Sequence, residues 1–173
     1  VVVFGAQAVN AYVGEPRMTQ DIDLLSLDAK ELANELRDYL SQHFHIALRL
    51  REVGEGRGYR LYQVQKSGNR HLVHLRTVES LPLAQRIEQV LVMAPAELIA
   101  SKIISYYQRR GKPKSGTDWR DIAMLLLTFP DLKSGTSLVT DCLQAAGADA
   151  QILAVWQEII LTEIVSEDED DEF

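Results

Sequence analysis

Residues 16–24 of this chain are Pro-Arg-Met-Thr-Gln-Asp-Ile-Asp-Leu, and the clearest structural signal of the sequence lies there. Asp21 and Asp23 alternate with aliphatic residues, a period of two that predicts a β-strand. Residues two positions apart in a strand share a face, so the two carboxylates are expected to lie side by side. If the chain is already extended before them, Arg17 and Thr19 join that face. Two carboxylates in this arrangement suit Mg²⁺, which usually binds one or two carboxylates together with substrate phosphates. The alternative is that Asp21 and Asp23 are ordinary surface acids on a half-exposed strand.

The segments around this strand alternate between helical and strand patterns. Upstream, the turn at Gly5-Ala6 predicts a short helix over residues 7–13. Downstream, Asp28 is the expected N-cap of a helix over residues 29–43. Alternation then predicts an antiparallel meander of three strands and one further short apolar run, at residues 46–53, 59–65, 71–78 and 87–92.

The sequence becomes helical after Pro95. Helical spacing predicts four helices, over residues 96–110, from Thr117 or Asp118 to 127, 135–146 and 148–164. This order predicts an α+β fold, with a small mixed sheet flanked by helices and followed by a helical C-terminal part. We expect an α/β core over residues 1–93, a helical part packed on it over 94–164, and a disordered acidic tail over 165–173.

The composition excludes several classes of protein. The chain has 173 residues and a net charge of −7, but six acids lie within residues 167–172, and the rest carries 19 acids against 18 bases. A nucleic-acid partner is therefore compatible with the charge. The single cysteine, Cys142, excludes a disulfide framework and suits a cytoplasmic protein, and no apolar run reaches the roughly 18–20 residues that span a bilayer. Because the chain begins at Val1 without a methionine, we expect the native N-terminus to be missing.

The N-terminal motif resembles a known signature. Gly5-Ala6-Gln7-Ala8 in front of Tyr12, together with residues 16–24, resembles the signature of the polymerase-β-type nucleotidyltransferases. It is most similar to the branch that contains the AbiEii-type toxins. In that branch a small-residue turn at a helix start is followed by Arg-x-Thr/Ser-x-Asp-hydrophobic-Asp. The first pair is commonly Gly-Gly or Gly-Ser there, so Ala6 keeps the close backbone approach but supplies no hydroxyl.

The resemblance implies a role for each residue of the motif. Asp21 and Asp23 would hold Mg²⁺ or Mn²⁺, and the metal would bridge the triphosphate of an NTP substrate. Gly5 and Ala6, at the start of a helix, would receive that triphosphate through backbone N–H groups. The remaining two residues of the motif would position the nucleotide: Arg17 and Thr19.

The resemblance extends to about residue 127. Ala94 to Lys102 is similar to the helix of this branch that carries a lysine, and Thr117 to Ile122 is similar to a later motif with aspartates. Lys102 would contact nucleotide phosphates as a point charge, or else be a solvent-exposed helix lysine. Asp118 and Asp121 would orient Lys102 or the substrate, or else Asp118 would only cap its helix.

One position departs from the family pattern in a way that bears on catalysis. A third carboxylate normally comes from a later strand and completes a two-metal site. Here His74 stands where that acid is expected. His74 is interpreted as a neutral base or a metal ligand, as a sign that catalysis has been lost, or as a solvent-facing residue with no role.

The resulting hypothesis is a metal-dependent nucleotidyltransferase that moves a nucleotide to an acceptor hydroxyl. The resemblance implies an RNA end or a protein as acceptor, a cognate antitoxin as a possible partner, and a place in toxin–antitoxin or phage defence. A degenerate nucleotide-binding or scaffolding module is the alternative, and a purely structural interaction domain is the third. An RNA acceptor would need a basic surface, and six basic residues interleaved with aromatic residues either bind RNA or form a solvent-exposed helix face. They are Lys102, Arg109, Arg110, Lys112, Lys114 and Arg120.

Overall fold

A computed structural model gives the fold and describes residues 1–166. The chain forms two compact units. The first contains residues 1–11 and 17–93, and the second contains residues 12–16 and the chain from Ala94 onward. All but the first two residues of the predicted acidic tail lie outside the described part.

The first unit is built on a mixed sheet. Its nine elements are β1 (Val2–Phe4), α1 (Gly5–Asn10), β2 (Ile22–Ser26), α2 (Ala29–Phe44), β3 (Leu48–Val53), β4 (Gly58–Gln65), β5 (Gly68–Thr77), β6 (Ala84–Ile87) and β7 (Val90–Met93). Within residues 1–166 the strand order is β3-β4-β5-β2-β1-β7-β6. Strands β3, β4 and β5 form the predicted antiparallel meander, and β5 then runs parallel to β2. The predicted α+β fold is confirmed, with a larger sheet than expected.

Helix α2 covers one face of this sheet. The Asp28 carboxylate accepts a hydrogen bond from the Glu31 N–H at 2.9 Å and so caps the helix as predicted. Two alanines, Ala29 and Ala33, allow α2 to approach the sheet closely, where they pack on apolar side chains of β4 and β5: Tyr59, Leu61, Val73 and Leu75. Burial of these alternating residues fixes the register, because a slip by one residue would turn all of them outward.

Several element boundaries differ from the prediction. Helix α1 begins at Gly5, directly after a strand, because Gly5 adopts a φ of 72° that allows an immediate turn. The apolar run at residues 87–92 is divided between two short strands joined by a turn at Glu88. Residues 17–21 form no strand, so β2 does not extend back to bring Arg17 and Thr19 onto the face of Asp23.

The second unit is helical. Its helices are α3 (Pro95–Gln108), α4 (Lys114–Thr128), α5 (Leu138–Ala145) and α6 (Ala150–Leu161), with a 3-10 turn at Pro130–Leu132. Trp156 of α6 is fully buried, and its indole N–H donates to the Thr140 hydroxyl at 3.0 Å. Helix α4 begins at Lys114, so the expected cap at Thr117 or Asp118 is wrong. No helix among residues 1–166 is long and apolar enough to cross a membrane.

Candidate functional site

The carboxylate pair lies at the start of β2. Asp21 directly precedes the strand and Asp23 is its second residue. Their side chains are 31% and 24% exposed, respectively. Both carboxylate side chains are therefore partly exposed to solvent.

The turn between β1 and α1 brings Gly5 against Asp23. Phe4 pairs with Asp23 in the sheet register, so the chain enters α1 beside that carboxylate. A Cβ placed on Gly5 would lie only 2.3 Å from the Asp23 Oδ2 atom, and Gly5 has a φ of 72°. Glycine is therefore required at this position both by the backbone conformation and by the closeness of Asp23.

His74 lies beside Asp23 on the neighbouring strand. The two residues are register partners between β2 and β5, and His74 Nδ1 is 3.1 Å from Asp23 Oδ1. The other ring nitrogen, Nε2, lies 3.6 Å from where a Cβ on Gly58 would be. The solvent-facing alternative for His74 is wrong, since its side chain is only 13% exposed and contacts Asp23.

A second histidine, which the sequence interpretation missed, contacts the other carboxylate. His71 Nδ1 lies 2.8 Å from Asp21 Oδ2, and His71 Nε2 lies 3.1 Å from the carbonyl oxygen of Val73. The ring centres of His71 and His74 are 6.3 Å apart, so each acid of the pair has its own histidine.

The segment before the pair is tied to α1 through its backbone. The Asn10 side chain accepts from the Arg17 N–H at 3.0 Å and donates to the Arg17 carbonyl oxygen at 2.8 Å. The Thr19 hydroxyl donates to the carbonyl oxygen of Asp21 at 3.3 Å. These bonds position Asp21 at the entry to β2, which gives Thr19 a local structural role beside the carboxylates.

The predicted site residues of the second unit form a buried ionic cluster. Lys102 Nζ lies 2.6 Å from Asp121 Oδ2 and 3.6 Å from Asp118 Oδ1. Arg109 pairs with Asp118 at 2.7 Å. Lys102 is only 8% exposed, and Asp118 and Asp121 are 2% and 0% exposed. The alternatives of an exposed helix lysine and of a capping Asp118 are therefore wrong, and both aspartates lie within ion-pair distance of Lys102.

Comparison with known protein families assigns the chain. A family model described as the nucleotidyl transferase AbiEii toxin of a type IV toxin–antitoxin system matches residues 2–172. The chain belongs to the AbiEii family. The predicted resemblance is thereby confirmed. No curated protein sequence matches the chain significantly.

Solved structures share the fold of this AbiEii family member. The Megavirus polyadenylate synthase superposes with a TM-score of 0.61 at 14% identity, over 78% of this chain and 29% of the viral one. JHP933 from Helicobacter pylori has a TM-score of 0.53 at 16% identity, over 92% of this chain and 80% of its own. An antigenic nucleotidyltransferase-like protein from Paracoccidioides brasiliensis, at 20% identity and covering 96% and 86%, has a TM-score of 0.49, so the structural comparison rests on the other two. The chain spans less than a third of the length of the polyadenylate synthase.

The AbiEii chain offers a metal ion few protein ligands. Among residues 1–166 no group of three or more His, Cys, Asp or Glu side chains is placed to hold a metal. Asp21 and Asp23 alone suit a cation such as Mg²⁺, which keeps several waters and takes one or two carboxylates with substrate phosphates. The donor set therefore fits a metal that arrives with a triphosphate, and it does not fit a metal held in an all-protein cage.

The basic helix segment of the AbiEii chain is largely engaged with its own unit. Besides the cluster around Lys102, Arg110 pairs with Glu158 at 3.4 Å and Arg120 donates to the carbonyl oxygen of Glu15 at 3.3 Å. Lys112 and Lys114 are the two of the six that are both exposed and without an ion pair within residues 1–166. These contacts weaken the interpretation of that segment as an RNA grip.

Proposed function

We propose that this AbiEii family member transfers a nucleotide from an NTP to an acceptor hydroxyl, with Mg²⁺ or Mn²⁺ held by Asp21 and Asp23. The observation that carries the proposal is the contact of Gly5 with Asp23, where no side chain fits on the glycine. The glycine brings the backbone at the start of α1 against Asp23, and we propose that the N–H groups there and a metal held by the carboxylates bind the same phosphate chain. Family membership supports the reaction class.

The residues of the first unit divide the work of binding. Gly5 and Ala6 are proposed to face the triphosphate through backbone N–H groups, and Arg17 and Thr19 to position it. Asp21 and Asp23 would hold the divalent metal, which when bound would neutralise charge that develops on the phosphate oxygens. Asp21 and Asp23 are kept in place for this by their histidine contacts.

The proposed reaction breaks a phosphoanhydride bond of the NTP and forms a phosphoester bond to the acceptor. The acceptor oxygen forms a bond to the α-phosphorus of the NTP, and the bond from the α-phosphorus to the bridging oxygen of pyrophosphate breaks. The hydroxyl proton of the acceptor is proposed to pass to His74, which occupies the strand position next to Asp23. Lys102, held by Asp118 and Asp121, stays a predicted phosphate contact that substitution can test.

The test is calorimetric titration of each NTP in the presence of Mg²⁺ or Mn²⁺. We expect binding to native protein and loss of it in the Asp21→Asn/Asp23→Asn double variant. A matched control is Asp28→Asn/Asp149→Asn, since both residues are helix N-caps and asparagine caps as well as aspartate. No binding of any NTP to native protein, or equal binding to both variants, would contradict the proposal.

A second candidate function rests on His74. A histidine in place of an acid is what a module that kept nucleotide binding and lost turnover would show, and His74→Asp discriminates the two. An inactive native protein with a His74→Asp variant that transfers nucleotide would favour the degenerate module. Robust native transfer that Asp21→Asn abolishes would exclude it.

The family description also suggests a partner. Because the family model describes a type IV toxin–antitoxin system, we propose that a cognate antitoxin is encoded with this chain. Co-expression with its neighbouring gene should relieve growth inhibition by the native chain. The Asp21→Asn/Asp23→Asn variant should inhibit growth in neither condition.

A further inference from the structure

The face of the sheet opposite α2 carries a row of arginines that leads to the carboxylate pair. Arg51 of β3 is opposite Arg60 of β4, Arg60 is opposite His74 of β5, and His74 is opposite Asp23 of β2. Register partners on neighbouring strands share a face, and each step between strands spans about 4.8 Å. The row therefore runs for about 14 Å from Arg51 to Asp23, across three steps.

Two further arginines widen the row on the same face. Arg49 is two residues before Arg51 and is opposite Tyr62. Arg76 is two residues after His74, and its guanidinium lies 5.2 Å from the centre of the Phe4 ring. We call the four residues Arg49, Arg51, Arg60 and Arg76 the arginine face. All four are exposed, and none has an ion pair within residues 1–166.

The charge on this face is uncompensated by the strands that carry it. Glu52 is the one acid in β3, β4 and β5, and it pairs with Tyr59, whose side chain packs toward α2. Four guanidinium groups without acids among them repel each other, and a polyanion relieves that repulsion. Guanidinium groups bind phosphate oxygens bidentately, which makes a phosphodiester backbone the best complement for several arginines in a row.

The occupant is further defined by what lies among the arginines. Tyr62 is partly exposed and stands next to Arg60 and His71, with its ring 5.0 Å from the imidazole of His71. An aromatic ring among arginines is the arrangement that holds unpaired bases by stacking while cations hold the backbone. An acidic protein segment would use the cations but would gain nothing specific from the stacking ring.

We infer that the arginine face binds the single-stranded end of an RNA acceptor and directs its terminal hydroxyl toward Asp21 and Asp23. The inference deepens the proposed function, because it names RNA as the acceptor class. A DNA end, which also carries a 3′ hydroxyl, is the competing occupant that the test distinguishes from RNA. The arginine face, rather than the basic segment of the helical unit, is then the surface that binds the acceptor.

The test is fluorescence anisotropy of a labelled single-stranded 12-nucleotide RNA across a range of salt concentrations. The variant is Arg49→Gln/Arg51→Gln/Arg60→Gln. Its control is Lys66→Gln/Arg70→Gln/Arg86→Gln, which removes the same charge from exposed residues of the same unit outside the arginine face. We expect the variant to bind the RNA roughly tenfold or more weakly than native protein. The slope of log K against log salt should become shallower by about 2, because each of the three lost phosphate contacts on a single strand removes about 0.7. The control should bind like native protein.

Other outcomes overturn the inference in recognisable ways. Equal loss in the variant and the control would show general charge attraction rather than a site. Tighter binding of DNA of the same sequence, or binding of a polyglutamate peptide but not of RNA, would exclude an RNA end as the occupant. NTP titration of the same samples separates this inference from the proposed function. If native protein binds NTP through the two aspartates but does not bind RNA, only this inference fails. If native protein binds RNA but no NTP, the proposed transferase function fails.

Discussion

His74 Nδ1 lies 3.1 Å from Asp23 Oδ1, and the two residues are partners in parallel register between β5 and β2. A side chain at position 74 is thus placed against the carboxylate pair by the sheet itself, whatever its chemistry. An acid there would add a third hard oxygen donor to the same edge. The histidine at this position therefore changes the donor set of the site and leaves its geometry in place.

We predict that His74→Asp raises the affinity of the protein for Mn²⁺ by about tenfold or more. The new carboxylate joins Asp21 and Asp23, and a third negative ligand strengthens attraction for a divalent cation. Calorimetric titration of Mn²⁺ measures the change without any acceptor. His74→Asn is the control, because it removes the imidazole but adds no charge, and it should bind Mn²⁺ no better than native protein. Equal gains in both variants would contradict the explanation.

The contact of Gly5 with Asp23 yields a prediction at the turn. Gly5→Ala forces a left-handed backbone on an L-residue, which costs about 1–2 kcal/mol, and pushes the new Cβ into the Asp23 carboxylate. We expect lower stability in urea unfolding and loss of metal-dependent NTP binding. Gly14→Ala is the matched control, since a Cβ there meets nothing within 4 Å and its φ is not left-handed. If the Gly5→Ala variant binds NTP as tightly as native protein, the proposed role of Gly5 in NTP binding is contradicted.

The sequence predicted the elements of the site better than their contacts. Alternation located β2 and the strands of the meander, and the family motif named Gly5, Asp21 and Asp23 before any geometry was known. These features are local in sequence, so periodicity and spacing record them. The contact of His74 with Asp23 was foreseen only as a position in the family pattern, because parallel pairing of β5 with β2 is non-local.

His71 shows why the remainder was missed. Residues 71 and 74 are three apart, an odd spacing that puts them on opposite faces of a regular strand. The register shifts between Leu61 and Tyr62, so that Tyr62 is opposite His71 while Leu61 is opposite Val73. This bulge returns His71 to the face of His74, and the local sequence gives no sign of it. The burial of Lys102 was missed for a similar reason, since the acids that neutralise it come from another helix.

The ionic cluster of the helical unit yields a stability prediction. Lys102→Met leaves Asp121 and Asp118 buried with less compensation, and removal of one partner of a buried pair typically costs about 3–5 kcal/mol. Urea unfolding should show this loss. Lys112→Met, at an exposed residue, is the control and should change stability little. The double variant Lys102→Met/Asp121→Asn should recover part of the loss, and failure to do so would argue against charge imbalance as the cause.

The single cysteine yields a prediction of pH dependence. Burial, followed by the nearby Glu97 and Asp141 carboxylates, raises the pKa of the Cys142 thiol to about 11. Only about one thiol in a thousand is then ionised at pH 8, and the thiolate is the form that reacts. Alkylation by iodoacetamide should therefore be slow at pH 8 and rise about tenfold per pH unit until about pH 11. Glu97→Gln should lower the thiol pKa and speed alkylation at pH 8, whereas Glu79→Gln, in the other unit, should leave it unchanged.

The same shift predicts the sign of a stability change. The thiol has an ordinary pKa of 9.0 and ionises in the unfolded chain first, so the folded state binds more protons between pH 9 and about 11. The contribution of Cys142 to stability is therefore fully present below pH 9 and is lost as the pH rises through about 11. Cys142→Ala, compared with native protein in urea unfolding at pH 8 and pH 10.5, should show a smaller decrease over that interval. An identical decrease in both proteins would assign the alkaline loss to other groups.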